Sequence, residues 1–187
     1  STPSRVSHVS SPTTRAKPEP TRQRVLDVAL ELFARQGFAA TTTRELSERL
    51  GFTKAALYYH FRTKDELLQA LVEPMVAEME ALIAAAEAER DGREESLGEV
   101  ARDRLLGGYV DVVIAHRQLM RVVAQDPSVT GRPVLEAGHA CLSRLAELIS
   151  GGGSGADDRV TRVRFVFGGV NTAVAFAGPD ADLADLR

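Results

Sequence analysis

Between residues 43 and 64 the chain gathers side chains suited to a polyanion: Thr43, Arg44, Thr53, Lys54, Tyr58, Tyr59, His60 and Lys64, with Ala55 and Ala56 set among them. A helix lying in the major groove of duplex DNA needs small residues where it approaches the bases and hydrogen-bond donors where it meets phosphates. Ala55 and Ala56 answer the first need, and Lys54, Tyr58, Tyr59 and His60 the second. Thr43, Thr53 and Lys64 fall in the first turns of predicted helices, where unpaired backbone N–H groups and the helix dipole favour a phosphate oxygen. Arg44 can offer two N–H donors to a guanine edge. Each has a plainer alternative: Thr43 and Thr53 as caps or first-turn residues, Arg44 and Lys64 as solvated surface residues, Tyr58 or Tyr59 as packing on the first helix. His60 has no metal-binding partner at i−4 or i+4, where Ala56 and Lys64 stand, and no Cys/His cluster has zinc spacing. No metal or other cofactor is expected.

A second set of residues suits a small molecule. Met75, Met79, Tyr109, Val113, His116, Met120, Val123, His139 and Leu142 place isolated polar groups on apolar helices, the usual composition of a ligand pocket, although each also fits a plain core. No run of charge on these faces demands a charged ligand, so the expected effector is apolar or amphipathic. Cys141 reads as a buried small hydrophobe.

The elements that must position these groups are all helical. Val25, Val28, Ala29, Leu32 and Phe33 make one stripe of a helix that begins after Thr21 and ends at Gly37. Thr42 with Glu45 is a capping-box pair, Leu46 and Leu50 give the next helix an apolar edge, and Gly51 breaks it. Thr53 opens a third helix, Lys54 to His60, and Thr63 with Glu66 opens a long fourth, which carries Leu67 to Ile83 and stops near Asp91. Pro74 lies inside that helix and predicts a kink near residues 70–74, or else two shorter helices joined there. Ser96 with Glu99 predicts another capping box, for a helix with Val100, Leu105, Tyr109, Val112, Val113 and His116 on its apolar faces. Further helices are expected around 119–124, from about 133 to 149, and over 158–177, separated by Asp126-Pro127 and by the glycine segment 151–155. No stretch alternates as a strand would, which predicts an all-α protein.

Three helices of about 16, 8 and 7 residues, with a tight Gly-containing turn before the third, make a helix-turn-helix. Thr42-Thr43-Arg44-Glu45-Leu46-Ser47 and the run from Leu50-Gly51-Phe52 through Leu57-Tyr58-Tyr59-His60-Phe61 to Lys64-Asp65-Glu66-Leu67-Leu68 closely resemble the DNA-binding domain of TetR-family transcriptional regulators. The resemblance covers about residues 21–68. It implies phosphate contacts for Thr43, Thr53, Tyr58, His60 and Lys64, base-edge contacts for Arg44 and Lys54, and a C-terminal helical body that binds a small effector and forms a homodimer. Dimerisation has an independent motive, because one short recognition helix reads only a few base pairs of a palindromic operator. The helix over 158–177 is the expected interface, through Val163, Phe167, Gly169, Val170, Ala173 and Val174, with Gly168 and Ala177 also permitting close approach. The expected division is a flexible basic arm over 1–20, a DNA-binding domain over 21–66 and a ligand-binding and dimerisation domain over 67–187.

Charge follows the same division. The net charge is −3, yet residues 1–66 hold 11 Lys and Arg against 7 Asp and Glu, while residues 67–187 hold 12 against 19. A basic front and an acidic body fit a nucleic-acid partner for the front alone. A single Cys rules out an internal disulfide, and the longest uncharged run, Phe165 to Pro179, is shorter than the roughly 20 residues a membrane helix needs. With no apolar leader in the first 24 residues, the expected place is the cytoplasm. An enzyme is not expected, since no Gly-x-Ser-x-Gly, His-Glu-x-x-His or phosphate-cradling Gly loop occurs. The expectation is a repressor released by a small effector; the alternative is a helix-turn-helix protein without one, governed by a protein partner or purely architectural.

Overall fold

The computed structural model describes residues 22–90, 97–151 and 155–177, and within them it is all-helical. The arm over 1–20, Ser96 of the expected capping box, the middle of the glycine segment and residues 178–187 lie outside the described residues. Eight α-helices follow in order: α1 Arg22–Gln36, α2 Thr43–Leu50, α3 Lys54–His60, α4 Lys64–Glu89, α5 Glu99–Ala115, α6 Arg117–Gln125, α7 Glu136–Ser150 and α8 Ala156–Phe176. A single 3-10 turn, Pro133–Leu135, leads into α7. Among the described residues no helix is long and apolar enough to cross a membrane.

The first helices start and stop where side chains satisfy their free backbone groups. Thr42, Thr53 and Thr63 each accept a bond from the backbone N–H three residues on, at 3.1, 3.2 and 3.1 Å. Gly51 closes α2 with φ of 72°, and the N–H groups of Gly51 and Phe52 return to Glu48 and Ser47 in a Schellman arrangement. The acidic partners of the two capping boxes turn elsewhere: Glu45 accepts from Gln36 and Glu66 from the backbone N–H of Arg62. Gly98 stands before α5 without a side-chain cap, and Val100 points into solvent rather than the core.

One apolar core runs from Val25 in α1 to Val174 in α8, with Leu46, Leu57, Leu67, Ile83, Leu105, Leu119 and Leu145 among its most enclosed side chains. α4 is the shared wall, packing against α1 at its start and against α5 and α7 further on. It runs unbroken through Pro74, so the expectation of two joined helices is not met. α5 approaches α4 closely at Gly108, where a Cβ would stand 2.5 Å from Leu82.

Candidate nucleic-acid interface and interior cavity

α3 is seven residues long and is held by one buried side chain, Leu57. With Leu57 and Phe61 facing inward, Lys54, Ala55, Tyr58 and Tyr59 share the exposed face, at the i, i+1, i+4 and i+5 positions that group on one side of a helix. Tyr59 is 85% exposed, against the packing alternative. The Lys54 ammonium lies 5.8 Å from the Tyr58 ring, and the half-buried His60 meets Tyr59 edge to face at 5.3 Å. Thr53 is exposed as the N-cap of α3, while Thr43 is half-buried at the start of α2. Arg44 is exposed and its Nε donates to Glu48 at 2.8 Å; that hydrogen bond and the neighbouring charge raise the guanidinium pKa.

Lys64 departs from expectation. Its ammonium turns inward and donates to the carbonyls of Phe38, Ala39 and Thr41 at 2.7, 3.3 and 2.7 Å, 4.6 Å from the Phe38 ring. An ammonium has three protons, and here all three are committed to the loop between α1 and α2. Burial lowers its pKa, assisted by the nearby Arg132. In this conformation Lys64 holds the loop that precedes α2.

The same loop is seated on the body from the other side. Asp126, 8% exposed at the end of α6, accepts from the backbone N–H of Ala39 and of Ser128, each at 2.9 Å. Burial pushes its carboxyl up, but hydrogen bonds from Ser128, Ala39 and Phe38 outweigh that and hold it below the ordinary aspartate value. Gly37 has φ of 91°, and a Cβ there would stand 3.1 Å from the Asp126 carboxylate. Arg132 covers the opposite side of Phe38's neighbourhood, its guanidinium 4.6 Å from the ring and paired with Asp65 at the start of α4.

Within the body, a cavity of about 100 Å³ brings together Met75 and Met79 of α4, Tyr109 and Val113 of α5, Met120 and Val123 of α6, and His139 and Leu142 of α7. Leu135, Gly138 and Asn171 complete the wall; the reading of isolated residues had no means of placing them there. Asn171 is fixed by Tyr109, whose hydroxyl donates to Oδ1 at 2.6 Å and whose pKa is raised by burial. His116 lies elsewhere. α5 ends at Ala115, so His116 occupies the turn into α6, with Nε2 3.1 Å from Glu78 Oε1. Cys141 is buried, and burial raises its thiol pKa. A larger groove, about 680 Å³, lies open to solvent between α4 and the start of α7, with Asp65, Glu73 and Glu80 along it. No group of three or more candidate metal ligands occurs among the described residues.

On α8 the expected interface residues divide between two sides. Phe167 and Val174 are buried within the chain, and the half-buried Val163 and Val170 pack against the same core. Gly169 and Ala173 are exposed, and with Phe165 (83% exposed), Val166 and Phe176, which the sequence reading did not name, they make an outward apolar face. Nothing lies within 4 Å of a Cβ built on Gly169.

Comparison with known proteins places this architecture. Residues 25–71 match the model of the bacterial regulatory proteins, tetR family. The chain is 34% identical over 146 residues to the tetracycline repressor protein class A of transposon 1721 from Escherichia coli, covering 78% of this chain and 63% of that one. Over 59 residues it is 44% identical to the HTH-type transcriptional regulator SrpR of Pseudomonas putida, 32% of this chain and 28% of that one. The chain thus spans less than two thirds of the length of these relatives, which are named as regulators rather than enzymes. The fold is shared with a TerR/AcrR-family transcriptional regulator from Aquifex aeolicus, with a TM-score of 0.65 and 17% identity over 88% of this chain and 92% of that one. The matched segment coincides with the helix-turn-helix built by α1 to α3 and the start of α4, and the chain belongs to the tetR family of bacterial regulatory proteins.

Proposed function

We propose that this protein is a DNA-binding transcriptional repressor that grips a palindromic operator as a homodimer and is released by a small apolar or amphipathic effector. The observation that carries the reading is the exposed face of α3, where Lys54, Tyr58 and Tyr59 surround the small Ala55 beside a solvent-facing Arg44. Residues 21–66 then form the DNA-binding unit, residues 1–20 a basic arm, and residues 67–187 the effector-binding and dimerising body, working in the cytoplasm. Repression is favoured by the E. coli relative's name. Its tetracycline is not carried over, because an engineered apolar cavity of about 150 Å³ takes a single benzene and the one here is about 100 Å³.

Selection from random duplexes tests the DNA reading. The expected product is a palindrome with half-sites about one helical turn, roughly 10 base pairs, apart or a multiple of that; no enrichment rejects it. Gly169→Arg tests the dimer. The monomer has room for the side chain, so the variant should fold, sediment as a monomer and lose most operator affinity. A dimeric variant moves the interface off the outward face of α8.

A further inference from the structure

Resting on the reading of the interior cavity as the effector site, we propose that the effector is an amphipathic anion, an alkyl or aryl carboxylate with its apolar body among the methionines and its head between Asn171 and Arg164. Two adjoining cavities define its shape. The interior one, about 100 Å³, shares His139, Leu142 and Asn171 with a second of about 130 Å³ between α7 and α8, which reaches Arg164. All three methionines of the chain line the interior part. Their unbranched, polarisable side chains can shift to admit a ring or a short alkyl chain, which a wall of Val and Ile would resist.

The charge of the head follows from the polar groups at the shared wall. Tyr109 donates to Asn171 Oδ1, which assigns that oxygen as the occupied acceptor and leaves Nδ2, with two N–H donors, unpaired among the described residues. The Arg164 guanidinium at the outer end is donor-only and has no acceptor among the described residues. No carboxylate lines either cavity, whereas Asp65, Glu73 and Glu80 line the separate outer groove. A carboxylate at the shared wall keeps partial contact with water and gains a charge-assisted bond to a guanidinium, while its chain is withdrawn from water. An ammonium in the same place faces the Arg164 guanidinium and the Asn171 N–H donors, with the His139 imidazole as its side-chain acceptor, and is better served by the carboxylates of the outer groove.

Calorimetric titration of the full chain with octanoate, octylammonium and 1-octanol tests this. Octanoate should bind about tenfold or more tighter than octylammonium, the scale of one hydrogen bond to a charged group. Arg164→Gln should bring octanoate down to the level of octanol, and Asn171→Asp, which still accepts from Tyr109, should weaken octanoate and strengthen octylammonium. Gly138→Leu, where a Cβ meets nothing within 4 Å, should weaken octanoate and octanol by filling the cavity; the melting temperature of each variant reports its folding. Octylammonium binding as tightly as octanoate, with both weakened by Gly138→Leu, overturns the anion and leaves the cavity reading standing. Binding indifferent to Gly138→Leu, or no binding of octanoate, overturns the cavity reading and the proposal with it.

Discussion

Arg44, Thr53 and Lys54, on the outward side of α2 and α3, find partners within one helical turn, whereas Arg49 of α2 reaches back to Glu31 of α1. Arg44 pairs with Glu48, Thr53 caps Ala56, and Lys54 leans over Tyr58. The seat beneath them is held from far along the chain. Asp126 reaches Ala39 across 87 residues, Arg132 reaches Asp65 across 67, and Lys64 reaches Phe38 across 26. The first region stays available because its exposed pairs are weak and easily exchanged for a phosphate or a base. The second is part-buried at Asp126 and Lys64, so those bonds are costlier to lose and fix where the recognition helices stand relative to the body. Recognition chemistry is local here, and orientation is non-local.

Breaking the seat should give the largest effect. Asp126→Ala takes the charged acceptor away from the part-buried N–H groups of Ala39 and Ser128, and hydrogen bonds to charged groups contribute about 1.5–3 kcal/mol, so about 2–4 kcal/mol of stability should be lost in denaturant titration. Acid gives a milder version of the same change. The carboxyl sits below its ordinary value in the folded chain, so its contribution is present above the usual aspartate range, near pH 4, and fades as pH falls through the folded pKa. A melting temperature whose acid-side decline is the same in wild type and Asp126→Asn would remove this carboxylate from the pH response.

Arg44→Ala probes the other region. It should leave the melting temperature unchanged and relax preference at one base pair per half-site by roughly ten- to hundredfold, the discrimination of one bidentate contact. Unaltered preference in a site selection would reduce Arg44 to a partner of Glu48.

The contrast also explains what the sequence disclosed. Helix limits around the DNA face were legible because Thr42, Gly51, Thr53 and Thr63 act on backbone groups within a few residues, and that chemistry is written in residue type. The inward turn of Lys64 was not legible because its partners are carbonyls of a loop that precedes it by more than twenty residues, and an ammonium at a helix start looks the same whether it faces a phosphate or a loop. Asp126 was legible only as part of the break at Asp126-Pro127, since nothing in an acidic residue beside a proline marks a bond to Ala39. On α8, the run from Phe165 to Pro179 has no charge to mark the solvent side, so Phe167, which is buried, and Phe165, which is not, could not be told apart. The cavity wall was legible in its apolar members, whereas Asn171 depended on the Tyr109 bond 62 residues away.

Lys64→Ala sits on the line between the two regions. If the ammonium serves the loop, the variant should lose about 1–2 kcal/mol, the scale of the released hydrogen bonds, with an unchanged salt dependence of operator binding. A log-log salt slope flattened by about one, with stability intact, would return Lys64 to the phosphate face.

Pro74→Ala should have the smallest effect on stability and isolates the coupling between seat and cavity. α4 begins with Lys64 and Asp65 at the seat and carries Met75 and Met79 at the cavity, with Pro74 between them. Proline lacks the N–H that would bond to the carbonyl of Ala70, so that turn is the weakest in the helix and the easiest place for it to bend. Replacement restores one hydrogen bond, about 1 kcal/mol, but also frees the unfolded chain by about 0.4–1 kcal/mol. The net change in melting temperature should be slight. Coupling is a different matter, because a stiffer α4 resists the displacement that filling the methionine wall imposes. Operator affinity measured with and without octanoate should therefore differ less in the variant than in wild type, out of a total coupling of about 1–3 kcal/mol. An identical ratio of affinities in the two proteins would show that displacement of α4 is not transmitted through Pro74, and would leave the contact of Asp126, at the end of α6, with the loop after α1 as the route between the two regions.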